Sequence, residues 1–100
     1  MVVWMGEFGR TPKINPNQGR DHFPDAWSVA LAGGDIRGGQ VYGKTSKSGM
    51  EVSDHPVSAS DLYATLLEGL GIDSGSDNAM GNRPIPLVDE GGAPIRELLG

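Results

Sequence analysis

Two short stretches bring together side chains able to do chemistry. In Gly19-Arg20-Asp21-His22 a carboxylate and an imidazole stand side by side. Their oxygen and nitrogen donors together suit Zn, Mn and related divalent cations. Neighbouring side chains in an extended loop can turn toward one region where the backbone kinks, and Gly19 permits a kink. A plainer role fits the same residues, with Asp21 capping a turn and His22 at the surface. In Gly6-Glu7-Phe8-Gly9-Arg10-Thr11-Pro12 a carboxylate directly follows an apolar run, a position suited to metal ligation or general-base work. Arg10 offers a planar fork of donors that can clamp an oxyanion. The plainer alternative is a turn in which Glu7 and Arg10 pair with each other or with solvent.

Other motifs carry less. Gly38-x-x-x-x-Gly43-Lys44-Thr45 matches a phosphate-binding loop letter for letter. That loop needs a strand before its first glycine and a helix opening at the Lys-Thr. Here a turn precedes Gly38, Gln40 to Tyr42 reads as a weak strand, and no helical period follows Thr45. A nucleotide-binding module through Lys44 is therefore disfavoured. Asp54-His55-Pro56 repeats the Asp-His pair, but as a turn before a helix. Ser28 and the serines at 46, 48, 58 and 60 lack the neighbours of a nucleophile elbow. No catalytic nucleophile is assigned.

The elements that must position these residues are few. Val2 to Met5 is an apolar run ending at Gly6, suited to a strand buried on both faces of a parallel sheet. The loop beyond such a strand is where open α/β sheets bind ligands. Glu7 to Pro24 is polar and punctuated by Gly and Pro, and reads as one long loop, of a length usually functional or disordered. Trp27 to Ala32 is a second apolar run, and Lys44 to Ser53 reads as a hairpin or surface loop. Ser60 to Leu70 is the clear helix, capped by Ser58 or Ser60, with Ser58 and Asp61 spaced as a capping box and Gly71 as its stop. Leu62, Leu66 and Leu70, with Tyr63 and Leu67, make its apolar face. Burying five such side chains gains roughly 1.5–3 kcal/mol each. Ordering the backbone costs roughly 1–2 kcal/mol per residue. The terms nearly cancel, so the helix needs a sheet to dock on. From Gly81 onward the chain reads as loop.

The chain has 100 residues, 37% of them hydrophobic, a net charge of −5, and many Gly (16) and Pro (7). The absence of cysteine excludes disulfides, Cys-type zinc sites and thiol nucleophiles. The acidic balance argues against nucleic acid as a partner. No apolar run approaches the length of a membrane span. Few strands and one helix cannot cover both faces of a sheet. The expected class is therefore α/β, with residues 1–100 forming a partial domain without an internal boundary.

The runs VVWMGEFGRTPKIN, GRDHFPDAWSVALAGGDIRGGQVYGKT and PVSASDLYATLLEGLGID closely resemble the C-terminal part of the bacterial "domain of unknown function 1501" family, over nearly all of residues 2–88. That family in turn looks like a branch of the alkaline phosphatase and sulfatase superfamily. The likeness rests on the order of parts: an acidic loop after a strand, a later His, a Gly-rich turn, and the Asp61-Leu62-Tyr63-Ala64-Thr65-Leu66-Leu67 helix followed by Leu70-Gly71-Ile72. The resemblance implies a C-terminal fragment of an alkaline-phosphatase-like layered domain. It implies Glu7 and His22 as metal ligands, Asp21 as a ligand or an orienter of one, and Arg10 as the contact for a substrate oxyanion. The metal would be Zn, Mn, Ca or Mg. Two departures stand out. Phe8 replaces a ligand that the superfamily carries next to its acidic residue, and the superfamily's nucleophile lies upstream of the matched region. The expected function is thus part of a metal-dependent phosphate- or sulfate-ester hydrolase, inert alone, acting on small-molecule or polysaccharide esters and exported or periplasmic in bacteria. The alternative is a non-catalytic binding or structural domain with a degenerate site. The remainder of the parent domain is the implied partner.

Overall fold

The computed structural model describes residues 1–100. It is a small mixed α/β arrangement with one α-helix and several short antiparallel strand pairs. Two compact units interleave along the chain. One comprises Met1, residues 32–40 and residues 57–100; the other comprises residues 2–31 and 41–56. No helix is long and apolar enough to cross a membrane.

In the second unit, β1 (Val2–Trp4) pairs with β4 (Ala30–Ala32). The apolar run does form a strand, but it is not buried. Val2 to Met5 are all exposed, Trp4 at 79%. The two strands form a sheet by themselves. The long polar segment after Gly6 is not simply a loop either. It returns on itself as an antiparallel ribbon of β2 (Gly9–Arg10) and β3 (His22–Phe23), with Gly9 opposite Phe23 and Arg10 opposite His22. The segment's ends can meet because residues 11–21 are closed by their own hydrogen bonds, described below.

The Lys44–Ser53 stretch is the expected hairpin. β5 (Lys44–Thr45) pairs antiparallel with β6 (Val52–Asp54), with a register shift between Lys44 and Thr45. Lys44 and Thr45 therefore lie in a strand and not at a helix start, which removes the geometry a phosphate loop requires. Gln40 to Tyr42, expected as a weak strand, has no regular structure.

The other unit is built on α1 (Ala59–Gly69). Ser58 caps it: its hydroxyl accepts from the Asp61 amide at 3.0 Å, and the Asp61 carboxylate accepts from the Ser58 amide at 3.1 Å. At the other end Gly71 adopts φ +81°, and the amides of Gly71 and Ile72 donate to the carbonyls of Glu68 and Leu67. That is the double closure of a helix whose stop residue needs a left-handed backbone. The buried face is narrower than the leucine spacing predicts. Ala64, Thr65, Leu67 and Gly69 are buried, whereas Tyr63 and Leu70 are exposed. Ala64 and Leu67 pack with Val88 and the partly buried Leu87. From Gly81 onward, expected as loop, the chain forms β8 (Arg83–Pro86), which pairs with the preceding β7 (Asp77–Met80), and a 3₁₀ turn at Arg96–Leu98.

Candidate functional site at the β2–β3 ribbon

The ribbon and its closing loop hold the residues that the sequence singles out. Gly9 lies at its root. An added methyl there would strike the Ala26 carbonyl and come within 2.8 Å of Trp27 Cβ and 2.9 Å of the Phe23 carbonyl. Only glycine lets β2 seat this closely, and that seating fixes where Phe8 and Arg10 emerge. Arg10 and His22 occupy opposing positions of the antiparallel ladder, so their side chains leave on the same face. Phe8 packs its ring on the His22 imidazole, with centroids 4.2 Å apart and planes tilted by 40°. The Arg10 guanidinium carbon stands 5.7 Å from the centre of the Phe8 ring, within reach of a cation–π contact. Arg10 and His22 are both exposed, and neither forms an ion pair.

Asp21 goes elsewhere. Its carboxylate accepts from Asn15 Nδ2 at 3.0 Å. It lines an open groove of about 550 Å³ together with Thr11, Lys13, Ile14, Pro16 and Met50. Residues that alternate along an extended segment face opposite ways, and the partners of Asp21 and His22 differ accordingly. Glu7 sits exposed in the bend before β2. The structure thus brings Arg10, His22 and Phe8 together, but does not gather Glu7, Asp21 and His22 around one point. No group of three or more His, Asp or Glu side chains stands close enough to hold a metal ion. The donors of this chain do not, by themselves, fit the divalent ion that the resemblance implies.

Two residues that the sequence reading leaves unassigned organise the loop. Asn15 Oδ1 accepts from the amides of Asn17 at 2.9 Å and Gly19 at 3.0 Å, while its Nδ2 donates to Asp21. The Asn15-Pro16-Asn17 run signals a turn, though not this triple engagement. Arg20 Nη1 donates across the loop to the carbonyls of Thr11 at 2.8 Å and Pro12 at 2.7 Å. Gln18 carries the strain of the turn with φ +64°.

Helix, hairpins and ribbon together define a mixed α/β chain with an exposed arginine–histidine face. The chain belongs to the family described as Protein of unknown function (DUF1501), which matches residues 1–99. No curated protein and no solved structure matches it.

Proposed function

We propose that this chain supplies part of the site of a phosphate- or sulfate-ester hydrolase, and that Arg10 binds the anionic group of the ester. The observation that carries the reading is the pairing of Arg10 with His22 on one exposed ribbon face, with no carboxylate neutralising the guanidinium. A guanidinium in that state is matched to a tetrahedral oxyanion. The remaining chemistry, including any metal, comes from the rest of an alkaline-phosphatase-like layered domain. The bare apolar strand β1 supports such a completion, since large exposed apolar patches mark surfaces that something else covers.

The test uses the full-length protein that carries this chain, with nitrophenyl phosphate and nitrophenyl sulfate as substrates and Zn, Mn, Ca or Mg supplied in turn. One ester class is turned over. Arg10→Gln then lowers kcat/KM by about 10- to 100-fold, matching the roughly 1.5–3 kcal/mol of a hydrogen bond to a charged group. A second reading, a non-catalytic binding or structural domain, draws on Phe8. By the resemblance this apolar ring takes the place of a ligand, and it packs against His22. A full-length protein inert toward both esters with every metal sinks the hydrolase reading in favour of this one.

A further inference from the structure

A second guanidinium stands next to the ribbon, on its closing loop. The Thr11 amide donates to the Asp21 carbonyl at 3.0 Å, while the Asp21 amide turns to Thr11 Oγ1 at 3.1 Å, so the regular ladder ends at Arg10 and His22. Arg20, two residues before His22, is held beside Arg10 by contacts that run across the loop. Arg10 Nη1 reaches the Arg20 carbonyl at 3.4 Å, and Arg20 Nη1 reaches back to the Thr11 and Pro12 carbonyls. Each guanidinium is thus tethered through one nitrogen. Its Nε and Nη2 donors have no protein partner. Neither arginine is in an ion pair. In a chain of net charge −5, two tethered, unneutralised arginines flanking a histidine form an uncompensated positive spot.

We propose that Arg20 is a second anion-binding residue of this site and a determinant of its specificity, so that Arg10 and Arg20 together select a doubly charged phosphate monoester over a singly charged sulfate ester. This rests on the reading of Arg10 as the ester's anion contact. Coulomb attraction scales with the ligand's charge, and a second cation multiplies the advantage of the dianion. A tether through Nη1 leaves the other edge of each fork to meet oxygen atoms. Both arginines are exposed, so the preference fades as salt rises.

Binding separates this inference from turnover. The full-length protein is titrated with methyl phosphate and methyl sulfate at about pH 8, where a phosphate monoester carries nearly two charges because its second pKa is about 6. Methyl phosphate is expected to bind about tenfold tighter, the effect of one added charge contact. Arg20→Gln cuts that preference about threefold, the share of one cation in two, and weakens methyl phosphate about tenfold and methyl sulfate about threefold. Arg20→Lys keeps the charge and retains most of the preference even where the loop loosens, which separates lost charge from lost folding. Equal affinity for the two ligands in the parent protein overturns the proposal, as does a preference that Arg20→Gln leaves undiminished. If the protein binds methyl phosphate through Arg20 yet hydrolyses no ester, the hydrolase reading falls and this inference stands.

Discussion

Each candidate residue has a chemistry that its type announces and a direction that only the fold decides. Glu7, Arg10, Asp21 and His22 are recognisable as donors, ligands or clamps from their types alone. Whether they converge depends on register. The pairing of Arg10 with His22 follows from the closure of residues 11–21, and that closure runs through the amide of Asn15. In the sequence, Asn15 is one more turn residue. In the fold it makes three hydrogen bonds and takes the Asp21 carboxylate away from the His22 side. Each bond is worth about 0.5–1.5 kcal/mol net, toward the lower end at an exposed site. Asn15→Ala should therefore open the loop without unfolding the chain. Hydrogen exchange of the Asn17 and Gly19 amides should accelerate, while the amides of α1 keep their rates. Uniform acceleration throughout would show that Asn15 supports global stability instead.

Among the elements, α1 was the most legible, and the reason is local. Capping box, helical period and glycine stop all lie within about a dozen residues and need no distant partner. Its buried face was less legible because the segments that cover it come from far along the chain. Thr65 is fully buried, donates to the Asp61 carbonyl at 2.7 Å and accepts from the Ile95 amide at 2.9 Å. No leucine periodicity reveals that a threonine anchors the tail. Thr65→Val should leave the buried Ile95 amide without a partner and cost about 1–3 kcal/mol. Thr65→Ser, which keeps the acceptor, should cost less. Urea unfolding of both variants reads the difference, and equal losses would place the effect in packing.

Asp61 anchors the same tail through its carboxylate, which accepts from the Ala93 amide at 3.0 Å. That bond, with those from the Ser58 amide and hydroxyl, holds the carboxyl below its ordinary pKa of 3.8 against a small opposing effect of burial. A carboxyl lowered on folding contributes stability above its unfolded pKa and loses it as pH falls through the folded one. The advantage of the native chain over Asp61→Asn should stay constant from neutral pH to just above 3.8 and narrow below it. Stability curves for the two proteins that run parallel down to about pH 2 would contradict this linkage. The strand pairs were harder to read. β2 and β3 are two residues each, too short for alternation to show. The exposed β7–β8 hairpin lacks the apolar alternation of a half-buried strand.

At the scale of the whole molecule, apolar make-up fixes that a strand forms but not how far this chain buries it. Val2 to Met5 has the make-up of a core strand, and the strand forms. These residues leave it exposed. The buried hydrophobic set is small: Phe23 and Ala26 in one unit, and Ala64, Leu67, Val88 and Ile95 in the other. Trp4 at 79% and Val2 at 65% exposure lie outside it. Fully burying one such side chain gains roughly 1.5–3 kcal/mol, so a protein that left the whole strand bare would forgo a large share of a typical domain's 5–15 kcal/mol. If the rest of a layered domain covers β1, hydroxyl-radical footprinting of the native full-length protein should oxidise Trp4 and Met5 several-fold more slowly than in the same protein unfolded in urea. Met80, at 72% exposure on the β7–β8 hairpin, serves as the internal reference for an apolar side chain left in solvent. Trp4 reacting as fast as in urea would mean that β1 stays bare in the parent. The ribbon site would then have no second half beside it, and the binding-domain reading of Phe8 and His22 would replace the hydrolase.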